Sequence, residues 1–308
     1  MEESQLPERS FLQRLFISPD ENRLRAGWRL LGQGLLLLFT VALFGALGSV
    51  LLSYLSSISY AGFLLLGTLS ISLAVTISIF IARRYLDRRS FTSLGLQRNK
   101  RAIFDLLFGF ALTGSMLGLI FLVEWIFGWL DVESFAWQVE NFGSLSVSIL
   151  TMLLIFILVS WQEELLSRGY WLQNLSEGLN ESWGVLLSSA AFALAHVLNP
   201  NLSWMAFVGL FLSGLFLAYG YLRTKQLWLP IGLHLGWNFF EGTVFGFPVS
   251  GQYYYQLIRQ STSGPELITG GAFGPEAGLL LLPILLLGAA GIYGYTINRE
   301  KVEPESAG

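Results

Sequence analysis

The sequence predicts an all-α, polytopic membrane protein: an eight-transmembrane-helix bundle enclosing an intramembrane polar cavity. Three observations lead there. Of 308 residues, 53% are hydrophobic and only 13% charged, against about 25% charged in a soluble domain. Apolar runs of 20 or more residues recur between Leu30 and Ile297, so the bilayer acts as the solvent of the fold. Finally, all but one of the 18 Lys and Arg residues fall on one side of the alternating connections, as the positive-inside rule requires.

The elements follow in order. Residues 1–29 form a cytoplasmic leader, in which Ser18-Pro19-Asp20-Glu21 has capping-box spacing and predicts a short interfacial helix. The charged lead and the long run after it do not suit a cleaved signal peptide, so the first helix is read as retained. Apolar segments then span about 30–55, 60–82, 102–130 (with Asp105 and Glu124), 147–172 (with Glu163, Glu164 and Arg168), 182–198, 204–222, 228–247 and 277–297. Most reach the roughly 20 residues that a hydrocarbon core of about 30 Å demands. The outer connection 248–275 is rich in Gly, Ser and Tyr, and Tyr253-Tyr254-Tyr255 there suggests an aromatic belt. The membrane domain is read as 30–298, and the polar tail 299–308 as disordered. Only Arg259 lies on the outer side, which puts both termini in the cytoplasm.

Several function classes drop out at once. With no cysteine, a disulfide framework, a thiol nucleophile and a Cys-type zinc site are excluded. A net charge of -3, without basic stretches interleaved with aromatics, speaks against nucleic-acid binding.

Ionisable groups inside apolar segments are functional candidates by default, and three clusters stand out. Glu164 and Arg168 are spaced i,i+4 and can pair, while Glu163 is turned about 100° away. This suits one braced carboxylate beside one reactive carboxylate. The blander reading is that the helix ends before Glu163 and the charges are solvated. Phe192 and His196 share a helical face, as do His234 and Asn238; taken singly, each pair is as well explained by packing or interhelical hydrogen bonding. Together, two carboxylates, an Arg, the only two histidines and an Asn on three segments describe either a hydrolytic centre or a proton or ion path. The inverted repeats expected of a transporter are not apparent.

Glu163-Glu164-x-x-x-Arg168, Phe192-x-x-x-His196 and His234-x-x-x-Asn238 resemble the three motifs of the CPBP intramembrane proteases, the family of the type 2 CAAX prenyl endopeptidase. The motif-bearing core covers about 145–245. The resemblance implies an eight-helix bundle with a polar cavity and an intramembrane endopeptidase acting on peptide, lipidated or membrane-protein substrates. By position, Glu163 would be the general base, His196 would place the water, His234 and Asn238 would bind the oxyanion, and Glu164 and Arg168 would brace the site. Zinc is the alternative, held by Glu163, His196 and His234 with an open fourth position; a metal-free glutamate mechanism stands slightly ahead of it. A competing functional class is a non-catalytic immunity or scaffold protein that binds a peptide or membrane partner. The expected location is a multi-pass position in the cell membrane, a bacterial inner membrane. The oligomeric state is left open, since Gly288, Ala289, Ala290, Gly291 and Gly294 permit helix contacts without requiring them. Measured from the cytoplasmic segment ends, His196 lies about 21 Å deep, Glu163 about 14 Å and His234 about 9 Å. The three must nevertheless converge.

Overall fold

The computed structural model describes residues 10–19, 21, 23–55 and 58–299. Asp20 of the expected capping box and the tail from residue 300 onward lie outside the described residues. A short helix, α1 (Phe11–Phe16), precedes the first long one, but its cap is Ser10 rather than Ser18. Ser10 Oγ accepts from Gln13 N, and Gln13 Oε1 accepts from Ser10 N, the reciprocal pairing of a capping box. Trp28 folds back on α1, donating Nε1–H to Leu15 O at 3.1 Å.

The long helices are α2 (Ala26–Tyr54), α3 (Tyr60–Ile81), α4 (Lys100–Ile126), α5 (Phe142–Glu164) and α8 (Trp204–Thr224). Between and after them come α6 (Leu172–Gly178), α7 (Glu181–Ala195), α9 (Trp228–Asn238), α10 (Glu266–Thr269) and α11 (Leu281–Thr296). Local chemistry explains the starts. Ser59, Asn99, Asn141, Asn180 and Ser203 each accept a backbone N–H three residues on, satisfying a donor that the helix leaves open. A helix occupies each of the eight apolar segments. Among the described residues, five are long and apolar enough to cross a membrane: α2, α3 with its extension, α4, the unit from α5 to α6, and α8. The chain is a multi-pass membrane protein on that basis, since five such helices cannot be housed in water. α7, α9 and α11, of 15, 11 and 16 residues, fall short of the span length.

Three wide π-helical turns interrupt the regular helices at Ala82–Leu86, Leu165–Trp171 and Phe239–Val244. The second corrects the expected end of the fourth segment: the helix does not stop at Leu172 but runs without a break from Phe142 to Gly178. Fifteen further residues after Glu163 place it about 22 Å from that end, level with His196 at the end of α7, and the depth mismatch between these two disappears.

The fold is not purely α. β1 (Leu130–Phe135) pairs antiparallel with β2 (Ile258–Thr262), with a register break between Val132 and Ser134. This ribbon ties the connection after α4 to the long outer connection. Arg259 and Tyr255 both bond to Glu140 there, at 3.1 and 2.8 Å. The three consecutive tyrosines therefore do not form one belt. Tyr253 is 61% exposed, Tyr255 is tied to Glu140, and Tyr254 packs edge-on to Phe156 at 4.9 Å.

At the basic end, Asp87 collects Arg83 (2.8 Å), Arg29 (3.5 Å) and the Tyr170 hydroxyl (3.2 Å). Glu177 collects Arg23, Arg29 and Arg89. These pairs join α2, the turn after α3 and α6. Arg168, assigned from the sequence to this basic side, is instead only 1% exposed and belongs to the interior. Small residues bring α9 against α4: a Cβ on Gly232 would lie 2.2 Å from Leu106 O, and one on Gly236 2.6 Å from Phe110 O. That face of α9 is some 200° around from His234, so the close approach turns the histidine inward. Gly288 and Gly291 likewise accept Met116 and Leu112 of α4, so these small residues of α11 serve packing within the chain.

Candidate active site

The three motif segments meet. Glu163 and Glu164 end α5 just before the wide turn, His196 caps the C-terminus of α7, and His234 and Asn238 lie one turn apart on α9. Glu164, fully buried, accepts from Arg168 Nη1 at 2.9 Å and faces His234 Nδ1 at 2.8 Å through the same oxygen. Arg168 also donates to Ser167 Oγ and to Gly214 O of α8, and its guanidinium sits 4.5 Å over the Phe192 ring. The Phe192 ring stands 4.9 Å from that of His196 and 6.0 Å from that of His234. The i,i+4 pairing read from the sequence is thus a buried ion pair, and the reading of solvated helix-end charges is overturned.

Glu163 has the opposite surroundings. Its Oε2 lies 3.8 Å from His196 Nε2 and 3.8 Å from His234 Nε2, and no hydrogen bond satisfies that oxygen. The far side of each ring is anchored: His196 Nδ1 is 2.8 Å from Phe192 O, and His234 Nδ1 is held by Glu164. Carbonyl and carboxylate oxygens only accept, so both Nδ1 atoms carry the proton and both Nε2 atoms point at Glu163. Glu163, His196, His234 and Asn238 all line a cavity of about 480 Å³. Its opposite wall is apolar, from Leu64, Ile71 and Val75 of α3 and Ile155 and Val159 of α5.

Among the described residues, no group of three or more His, Cys, Asp or Glu side chains could hold a metal ion. At 3.8 Å, Glu163 and the two imidazoles stand farther apart than ligands about 2.0–2.2 Å from one shared zinc would. The residues as placed do not fit the zinc alternative, and no catalytic step is routed through a metal here.

Sequence reasoning missed two acidic residues near the centre. Glu276, in the connection before α11, lines the same cavity, and Glu241, in the turn after α9, is fully buried. The signal was available, because each is a lone carboxyl in an apolar surround. It went unused because neither belongs to a motif. Glu124 is a third fully buried carboxyl and lies away from the motif residues on α4.

A membrane-embedded helical fold whose buried carboxylates and imidazoles converge on a cavity defines the class: a multi-pass membrane protein with a hydrolase-like centre. Residues 144–240 match the family model described as Type II CAAX prenyl endopeptidase Rce1-like. The match spans all six motif residues and supports assignment of the chain to the CPBP/CAAX protease family, as the motifs implied. No curated protein and no solved structure gives a significant match.

Proposed function

We propose that the chain is an intramembrane endopeptidase that hydrolyses peptide bonds of membrane-associated substrates with a glutamate-activated water. The observation that carries this reading is the convergence of Glu163 Oε2 with two imidazole Nε2 atoms at 3.8 Å each. That spacing suits one water hydrogen-bonded to carboxylate and imidazole together. Glu163 takes the proton as the water attacks the carbonyl carbon, and His196 orients the water. The Asn238 amide and the protonated form of His234 donate to the oxyanion, the latter stabilised by the Glu164 carboxylate at 2.8 Å. Glu163 then returns its proton to the leaving amine as the C–N bond breaks. Arg168 and Phe192 fix Glu164 and both imidazoles.

In this reading the three shorter helices complete an eight-helix bundle with both termini cytoplasmic, and the cavity lies inside the membrane. Its apolar wall admits the substrate and its polar floor performs the chemistry. The test is cleavage of membrane-anchored reporter peptides by purified wild type and Glu163→Ala, each with and without a chelator. Wild type is expected to cut, and the variant to lose about 10²–10⁴-fold in rate while keeping its thermal transition. Chelation is expected to leave the rate unchanged. Undiminished cleavage by Glu163→Ala would remove the glutamate from the mechanism, and loss on chelation restored by zinc would restore the metal alternative.

A further inference from the structure

The connections that close the cavity carry a carboxyl group that this mechanism leaves unused. Glu276 is 5% exposed and lines the cavity beside His196, His234 and Asn238. Its backbone is tightly seated. A Cβ on Gly209 of α8 would lie 1.7 Å from Glu276 O, and Gly274, at φ +106°, would bring one to 2.1 Å from Pro248 O. Ser250 Oγ donates to Glu276 Oε2 at 2.5 Å, and Asn199 Nδ2 donates to Ser250 O at 3.0 Å. Three connections are thus knit around this one side chain.

Nothing cationic is built to match it. Among the described residues no Lys or Arg pairs with Glu276, none lines the cavity, and Arg168 is engaged by Glu164. The nearby Glu241 adds a second buried carboxyl rather than a counter-charge: its Oε1 lies 3.5 Å from the Cβ position of Gly274. A carboxylate buried so deeply is stable as an anion only beside an opposite charge, and the cavity is the side from which one can arrive. A substrate carboxylate at the same place would meet like charge and no donor cation.

We propose that the Glu276 end of the cavity is a subsite for a cationic side chain, Lys or Arg, of the peptide substrate, and that it discriminates against a free C-terminal carboxylate. The inference rests on the protease reading and deepens it. The opposite apolar wall then takes the membrane-embedded part of the substrate, and Glu276 selects a basic residue close to the scissile bond.

The experiment uses the purified full chain and membrane-anchored peptides. Lys, Ala or Glu is stepped through three positions on either side of the scissile bond, and each peptide ends in a free acid or an amide. At one position wild type is expected to cut the Lys peptide at least ~10-fold faster than the Glu peptide by kcat/KM, and amides faster than acids where the terminus falls within reach. Glu276→Gln, which keeps an acceptor for Ser250, is expected to bring the Lys-to-Glu ratio there below about 3-fold, while Glu276→Asp keeps its direction. Cleavage by wild type without any positional preference for Lys overturns the proposal, as does an undiminished ratio in Glu276→Gln. The wild-type ratio decides the matter even if a variant fails to fold. A wild type that cuts no peptide overturns the protease reading and this one with it, whereas cleavage without preference overturns this one alone.

Discussion

One backbone step separates Glu163 from Glu164, yet Glu164 is sealed between Arg168 and His234, whereas the Glu163 side chain is 27% exposed and faces the cavity. The difference in surroundings implies a difference in what each residue contributes. Arg168→Ala would strand the Glu164 carboxylate in the interior, and breaking a buried pair from one side costs about 3–5 kcal/mol. A drop of that size in unfolding free energy, measured in detergent, is the expected result. Arg168→Lys is expected to recover little of it, because an ammonium cannot reach Glu164, Ser167 and Gly214 together as the planar fork does. A stability near that of wild type in Arg168→Ala would show the pair to be dispensable. At this scale the sequence was informative where helical angle alone separates neighbours, as with Glu163 and Glu164. It was silent on Glu276, whose place beside the imidazoles depends on a loop path that no periodicity encodes.

Among the elements, α9 shows how packing sets chemistry. Its Gly232/Gly236 face lies against the backbone of α4, and the opposite face presents His234. Gly232→Ala would force a methyl group against Leu106 O, where its Cβ has only 2.2 Å. Overpacking of this kind costs about 1–3 kcal/mol. The variant is expected to melt earlier and to cut more slowly, because the displaced helix carries His234 with it; an unchanged melting temperature would contradict the close approach. Apolar run lengths made the long helices legible. They did not reveal the extension of the α5–α6 unit to Gly178, since 172–178 reads as polar helix-end sequence, nor the shift of the first cap from Ser18 to Ser10, where the two candidate caps have equivalent spacing. The β1–β2 ribbon was also hidden, because its partners are more than 120 residues apart.

For the whole molecule, charge asymmetry is the governing feature, and the two ends are stitched differently. Buried Arg–Asp and Arg–Glu networks around Asp87 and Glu177 hold the basic end, whereas backbone pairing and closely seated glycines hold the other. The orientation proposed above is directly testable because the chain has no native cysteine. Arg98→Cys is expected to react with an impermeant thiol reagent only from the cytoplasmic side, and Trp137→Cys, at a side chain 54% exposed, only from the opposite side. Labelling of both from one side would remove the topology. Asp87→Ala is expected to loosen the basic end by about 3–5 kcal/mol, read as earlier thermal unfolding. Topology at this scale was largely legible, because the distribution of Lys and Arg is a property of the chain rather than of its packing. The convergence of three segments on one cavity was legible only through motif resemblance.

The wide turn at Leu165–Trp171 follows the two glutamates immediately. Such a turn holds one residue more than an α turn, so the face presented by everything beyond it depends on how many residues the segment contains as well as on which they are. Loss of a single residue there would return the segment to ordinary winding and rotate Glu163 by about 100° relative to the rest of the α6 end. Conservative replacements, by contrast, leave the count intact. Between Glu163 and Gly178, natural or engineered variation should therefore show tolerance of substitution and intolerance of insertion or deletion: in this stretch, chain length is itself a specification of the active site.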